Sequence, residues 1–157
     1  MGGGKELRRV RQAKTFEGLR LLNNNDLYEF AKEKQIIIER MKLQKNKSLS
    51  VRIQNRDFIG LDEDAIENSA EERTHLAHEL GHCATGAFYE IGSPLQVRGQ
   101  AEHRANKWAV LRCVPKQELI ALLKQGLQKW ELAEHFNVTE DLINTAVTFY
   151  FDYGIAV

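Results

Sequence analysis

At 157 residues, 43% hydrophobic and 28% charged, the chain is long enough for one globular domain and too short for two. Its 22 basic and 22 acidic residues cancel, so nothing at the level of the whole chain asks for nucleic acid or an anionic membrane as an electrostatic partner. No apolar run approaches the roughly 18 residues of a spanning helix, and residues 1–14 lack the apolar stretch of a secretory signal, so no membrane contact is expected and the expected location is the cytoplasm.

Met1-Gly2-Gly3-Gly4, followed by Lys5, Arg8, Arg9, Arg11 and Lys14, predicts a flexible basic arm over residues 1–14, leaving 15–157 as a single domain. From Asn25 the apolar positions Leu27, Phe30 and Ala31 predict a short helix ending near Lys34. Ile36-Ile37-Ile38, the run Leu49 to Gln54 and the run Phe58 to Leu61 carry strand signals, and the polar join Asn55-Arg56-Asp57 predicts a hairpin. Ser69-Ala70-Glu71-Glu72 has capping-box spacing and marks a helix running to about Gly86. A loop with Gly92-Ser93-Pro94 and Gly99 then leads to a helix over Ala101 to Arg112, stopped by Val114-Pro115. Helices over Lys116 to Lys124, Trp130 to Phe136 and Thr139 to Phe151 complete the chain. These elements predict a mainly helical α+β domain with one small antiparallel sheet. Cys83 and Cys113 are too few for a disulfide framework and are expected as small buried hydrophobes.

The helix after Ser69 contains His78-Glu79-Leu80-Gly81-His82, the H-E-x-x-H pattern. Residues four apart on a helix lie about 40° apart around the axis and about 6 Å along it, so both imidazoles can close on one ion. Glu79 falls on the flank of the same arc, where it reaches a water on that ion without displacing it from the metal. Leu76, Leu80 and Cys83 form the opposite, apolar face, and Ala77 and Gly81 are small enough to admit another element closely. His75, one turn before His78, is expected on the rim of the site rather than as a ligand.

A catalytic zinc takes three protein ligands and keeps one position open. Glu102 is the leading candidate for the third, since Glu102, Ala105, Asn106 and Ala109 share a face whose two alanines permit close packing. Asn106 is placed to bond the outer nitrogen of a ligating histidine. His103 is the rival ligand, pointing about 100° away from that face. The expected centre therefore holds one Zn2+ per chain, with Tyr89, His75 and Arg104 as candidates for the rim or for steadying the oxyanion.

These pieces resemble the ImmA/IrrE family of metallopeptidases from about Asn25 to the C-terminus, most closely in His75 to His82 and in Glu102-x-x-Ala105-Asn106-x-Trp108-Ala109 leading to Val114-Pro115. Trp108 stands in the usual aromatic place, and Cys113-Val114 replaces a more aliphatic pair. The resemblance implies a zincin-like domain, with the small sheet next to the H-E-x-x-H helix, and a gluzincin-like site of two histidines and a glutamate. It also implies a zinc-dependent endopeptidase whose protein substrate is a helix-turn-helix repressor of a mobile element or stress response. Two alternatives stand beside it: a metal-binding adaptor without turnover, and a DNA-binding regulator. Leu132 to Asp141 reads as the first half of a helix-turn-helix, but the segment Leu142 to Phe149 that follows has no Arg or Lys to meet phosphates, so direct nucleic-acid binding is not expected.

Overall fold

The computed structural model describes residues 24–152, and the basic arm expected over 1–14 lies outside them. Residues 24–33 form helix α1, whose Leu27 and Ala31, one turn apart, are buried. The chain leaves α1 through Gln35 at φ 57° and enters strand β1 (Ile37–Arg40), followed by β2 (Ser48–Ile53) and β3 (Arg56–Leu61). The hairpin joining β2 to β3 turns on Gln54 and Asn55, both at positive φ (50° and 62°), as a two-residue turn with the twist of its strands requires. Ile53 pairs with Arg56 and Arg52 with Asp57, so the turn sits one residue earlier than the Asn55-Arg56-Asp57 join predicts.

The sheet order is β1-β3-β2. β1 runs parallel to β3, with Ile37 opposite Phe58, so the sheet is mixed rather than wholly antiparallel. The reason is connective: β2 is the returning limb between β1 and β3, and both flanking strands run the same way. β2 is left as an edge strand.

Helix α2 (Ser69–Thr85) lies across this sheet. Its N-cap is Asn68, whose side chain accepts from Glu71 N–H at 2.9 Å, while Glu71 reaches back to accept from Glu67 N–H at 2.7 Å. The cap is thus one residue before Ser69, which frees Ser69 and Glu72 for contacts elsewhere. Glu72, 2% exposed, accepts from Tyr28 Oη at 2.9 Å and Asn24 Nδ2 at 3.3 Å, and Arg73 forks onto Asp26 at 2.7 and 3.0 Å, so α1 is tied to α2 by polar contacts beneath the apolar ones. α2 ends at Gly86, φ 64°, whose N–H bonds back to Cys83 O.

Helix α3 (Leu95–Cys113) begins six residues before the expected Ala101. Pro94 at φ −52° opens it, and its first turns, including Gly99, carry mostly exposed side chains, so no apolar period announces them. From Ala101 onward Ala101, Ala105 and Ala109 are buried against α2. A Cβ on Gly81 would come within 2.5 Å of the Ala105 carbonyl oxygen, so the glycine sets how close the two helices lie.

Helices α4 (Lys116–Lys124), α5 (Lys129–Phe136) and α6 (Glu140–Val147) follow, and α6 passes into a π-helical turn over Thr148–Asp152. Asn137 at φ 51° makes the α5–α6 turn, and Thr139 caps α6 by accepting from Leu142 N–H. That turn is fastened to α2: Asn137 Nδ2 donates to Ser69 Oγ at 2.9 Å and Thr139 N–H to Thr74 Oγ1 at 2.9 Å. Leu142, Ile143 and Ala146 join Leu76, Leu80, Val110 and Leu119 in one core. No helix among the described residues is long and apolar enough to cross a membrane.

Candidate active site

α2 presents two faces. Leu76, Leu80 and Cys83 enter the core, as expected, while His75, His78, Glu79 and His82 line a cleft of about 930 Å3. The same cleft is bounded by β2, by the loop after α2 and by the first residues of α6.

His78 and His82 bring their Nε2 atoms to 3.2 Å from each other. Glu102, from the facing side of α3, lies 3.0 Å from His78 Nε2 through one oxygen and 3.1 Å from His82 Nε2 through the other. Each imidazole is fixed from behind: His78 Nδ1 bonds Asn106 Oδ1 at 2.8 Å, and His82 Nδ1 donates to the Ala87 carbonyl at 2.6 Å. With both Nδ1 atoms turned to acceptors, both Nε2 lone pairs point at each other and at a carboxylate. Electron-rich atoms of three side chains converging this closely require a positive charge between them. A tetrahedral zinc with bonds of about 2.0–2.2 Å separates its donors by roughly 3.3–3.5 Å, close to the spacing found. The donor set therefore fits a divalent metal, and among the described residues it is the group of three or more His, Cys, Asp or Glu side chains that converges in this way.

The electrostatics of these side chains point the same way. Hydrogen bonds from His78 and then His82 hold the Glu102 carboxyl far below the usual carboxylate range, against the opposing effect of burial. Burial disfavours a charged His78, but the hydrogen bond to Glu102 and the charges of Glu79 and Glu102 outweigh it and raise its pKa above 6.5.

Glu79 is 6% exposed and held at both carboxylate oxygens: Ser48 Oγ donates to Oε1 at 2.8 Å and Ser50 Oγ to Oε2 at 2.6 Å. The sequence reading missed these serines, and it missed the Ala87 carbonyl. A signal for the serines existed, because Ser48, Ser50 and Arg52 alternate along β2 and so share the face turned to α2. Three polar side chains on the inner face of a strand are unusual unless they have partners there. Arg52 also lies with its guanidinium carbon 4.8 Å from the Phe88 ring centroid, and Phe88 stacks on His82 at 6.4 Å.

Of the remaining candidates, Tyr89 lines the cleft and its hydroxyl donates to Glu102 Oε1 at 2.9 Å; burial and this bond both raise its pKa. His75 also lines the cleft, 3.2 Å from Ser48 Oγ through Nδ1, outside the converging set; burial is the main cause of its lowered pKa. Arg104 is exposed and is not among the residues lining the cleft. His103, the rival ligand, instead packs 4.8 Å from the Phe149 ring. Cys83 and Cys113 are buried free thiols whose pKa values burial pushes up to about 12 and about 11, which keeps both protonated.

A model of the Peptidase_M78 family, described as an IrrE N-terminal-like domain, matches residues 9–148, which is most of the chain. Neither a curated protein nor a solved structure gives a significant match.

Proposed function

Because the chain belongs to the Peptidase_M78 family of IrrE N-terminal-like domains, and is a peptidase of that kind, we propose that it is a zinc-dependent endopeptidase acting on a protein substrate. The observation that carries this reading is the convergence of His78, His82 and Glu102 beside a carboxylate, Glu79, that is aimed and held yet is not one of the three. His78, His82 and Glu102 would hold the metal. When bound, zinc lowers the pKa of a bound water and polarises a scissile carbonyl.

Glu79 accepts the proton of the attacking water and delivers it to the leaving amine. Asn106 and the Ala87 carbonyl keep the two imidazoles in the tautomer that presents Nε2. Tyr89, with its hydroxyl on Glu102 at the cleft, is the side chain best placed to swing toward a developing oxyanion. The substrate enters as an extended segment along β2, whose outer edge pairs with no strand among the described residues.

The resemblance to the ImmA/IrrE family supports a helix-turn-helix repressor as the substrate class. The placement of α6 supports an enzyme over a DNA reader: Thr139, Asp141, Leu142 and Thr145 of the α6 segment face the cleft, so this helix walls the site.

The test is a Glu79→Gln protein loaded with zinc and incubated with candidate repressors beside the wild type. The expected outcome is retained zinc with cleavage slowed by about 10²–10⁴-fold, the range for loss of a general base. Undiminished cleavage by Glu79→Gln would remove Glu79 from the reaction. Capture of a repressor by the wild type without any cut would favour the adaptor.

A further inference from the structure

Glu79 sits deep in the cleft wall, and strand β2 supplies both of its partners. Ser48 and Ser50 are two residues apart, so their side chains leave the same face of the strand. Each takes a different carboxylate oxygen, at 2.8 and 2.6 Å. One bond would leave the terminal torsion of a glutamate, which is broad and nearly two-fold, free to rock; two bonds fix the plane of the carboxylate. Each oxygen has a second acceptor site, so the hold leaves room for a proton from the cleft. Neither serine is a partner of His78, His82 or Glu102.

We propose that Ser48 and Ser50 are positioning residues for Glu79, holding its carboxylate toward the cleft in both its ionised and its protonated form. A hydroxyl suits this task because it can donate to a carboxylate and, after rotating, accept from a carboxylic acid, which a backbone N–H cannot do. When Glu79 holds the proton taken from water, one serine turns to accept and the geometry is kept until the proton leaves. His75 steadies Ser48: that serine gives its one hydroxyl proton to Glu79, so the 3.2 Å contact to His75 Nδ1 is made by a proton on the imidazole. The arrangement also joins base to substrate, since the strand that orients Glu79 is the edge along which an extended substrate would lie. This inference rests on the peptidase reading of the site.

The competing role for the serines is structural, as partners that satisfy a buried carboxylate. The experiment compares zinc-loaded wild type, Ser48→Ala, Ser50→Ala, the double variant and Ser50→Thr. The substrate probe is a quenched fluorescent peptide selected from a random library with the wild type. A second probe is a peptide hydroxamate titrated calorimetrically, whose hydroxyl proton must be received by a correctly aimed carboxylate beside the metal.

Each alanine variant is expected to lose about tenfold in kcat, from one hydrogen bond to a charged group, with KM within about twofold, and the double variant to lose more. Hydroxamate affinity falls by a similar factor, zinc content is unchanged, and Ser50→Thr restores both kcat and affinity. Alanine variants with full kcat and full hydroxamate affinity would overturn the proposal. So would a loss that follows zinc content or thermal stability, or that Ser50→Thr does not restore, since those outcomes mark a structural role. If the wild type cuts no library peptide, the peptidase reading fails by itself, and the hydroxamate titration still decides the role of the serines.

Discussion

The smallest decisive feature is the direction in which two imidazoles point. His78 and His82 show Nε2 to the cleft only because Asn106 and the Ala87 carbonyl occupy Nδ1. Asn106→Ala is therefore expected to lower zinc affinity by about 10–100-fold, measured by competition with a chelating dye, with little change in fold. The raised pKa of His78 has a consequence of definite sign. Zinc must displace a proton that His78 holds to a higher pH than the ordinary 6.5, so affinity should fall with decreasing pH from above that value. A titration of zinc affinity between about pH 5 and 9 checks it. At this scale the sequence was informative where helical periodicity sets which side chains share a face: His78, Glu79 and His82 on α2, and Glu102 and Asn106 on α3, were legible from it. Ser48 and Ser50 left only the polar alternation of β2, which does not name their partner, and the Ala87 carbonyl left no signal, because contacts between a strand or a loop and a helix depend on register and on the path of the backbone.

Between elements, the separation of α2 and α3 decides whether Glu102 reaches the histidines. Gly81 sets that separation, with Ala105 opposite. Gly81→Ala has the higher helix propensity, yet its Cβ would meet the Ala105 carbonyl at 2.5 Å, and it is expected to destabilise by about 1–3 kcal/mol through overpacking. Chemical denaturation measures the loss, and zinc affinity should fall with it as Glu102 is pushed away. Element boundaries were read well where apolar periodicity or proline marks them, as at Val114-Pro115 and in α4. They were read less well at α3, whose exposed first turns leave no period, and at β1, whose parallel pairing with β3 is a property of topology that a local pattern does not carry. Ser69 looked like the cap of α2, but Asn68 offers the same side-chain acceptor one residue earlier, and Ser69 is then taken by Asn137.

Across the whole molecule, α1 and the α5–α6 turn are both fastened to the N-terminal half of α2, so the helix that carries the site is braced at the end away from the cleft loop. Burial works against an ionised Asp26, but the hydrogen bonds and charge of Arg73 outweigh it and hold its carboxyl below 3.8. A lowered carboxylate pKa contributes stability that is present above the unfolded value and lost as pH falls through the folded one. Stability is accordingly expected to drop below about pH 4, and Asp26→Asn should flatten that dependence while costing about 1–2 kcal/mol at neutral pH, less than for a fully buried pair because Asp26 is partly exposed. Thermal unfolding of the two proteins across pH tests both. None of this bracing was legible beforehand, since Asp26 lies far along the chain from Glu72 and Arg73 and each of the three reads locally as a solvated or capping charge.

Everything at the site depends on a metal centre built from His78, His82 and Glu102, and native mass spectrometry of the purified protein reads its metal content. One zinc ion per chain is expected, retained in Glu79→Gln and lost in His78→Ala and Glu102→Ala. A wild type that binds no metal, or a metal that persists when His78, His82 and Glu102 are replaced together, would contradict it.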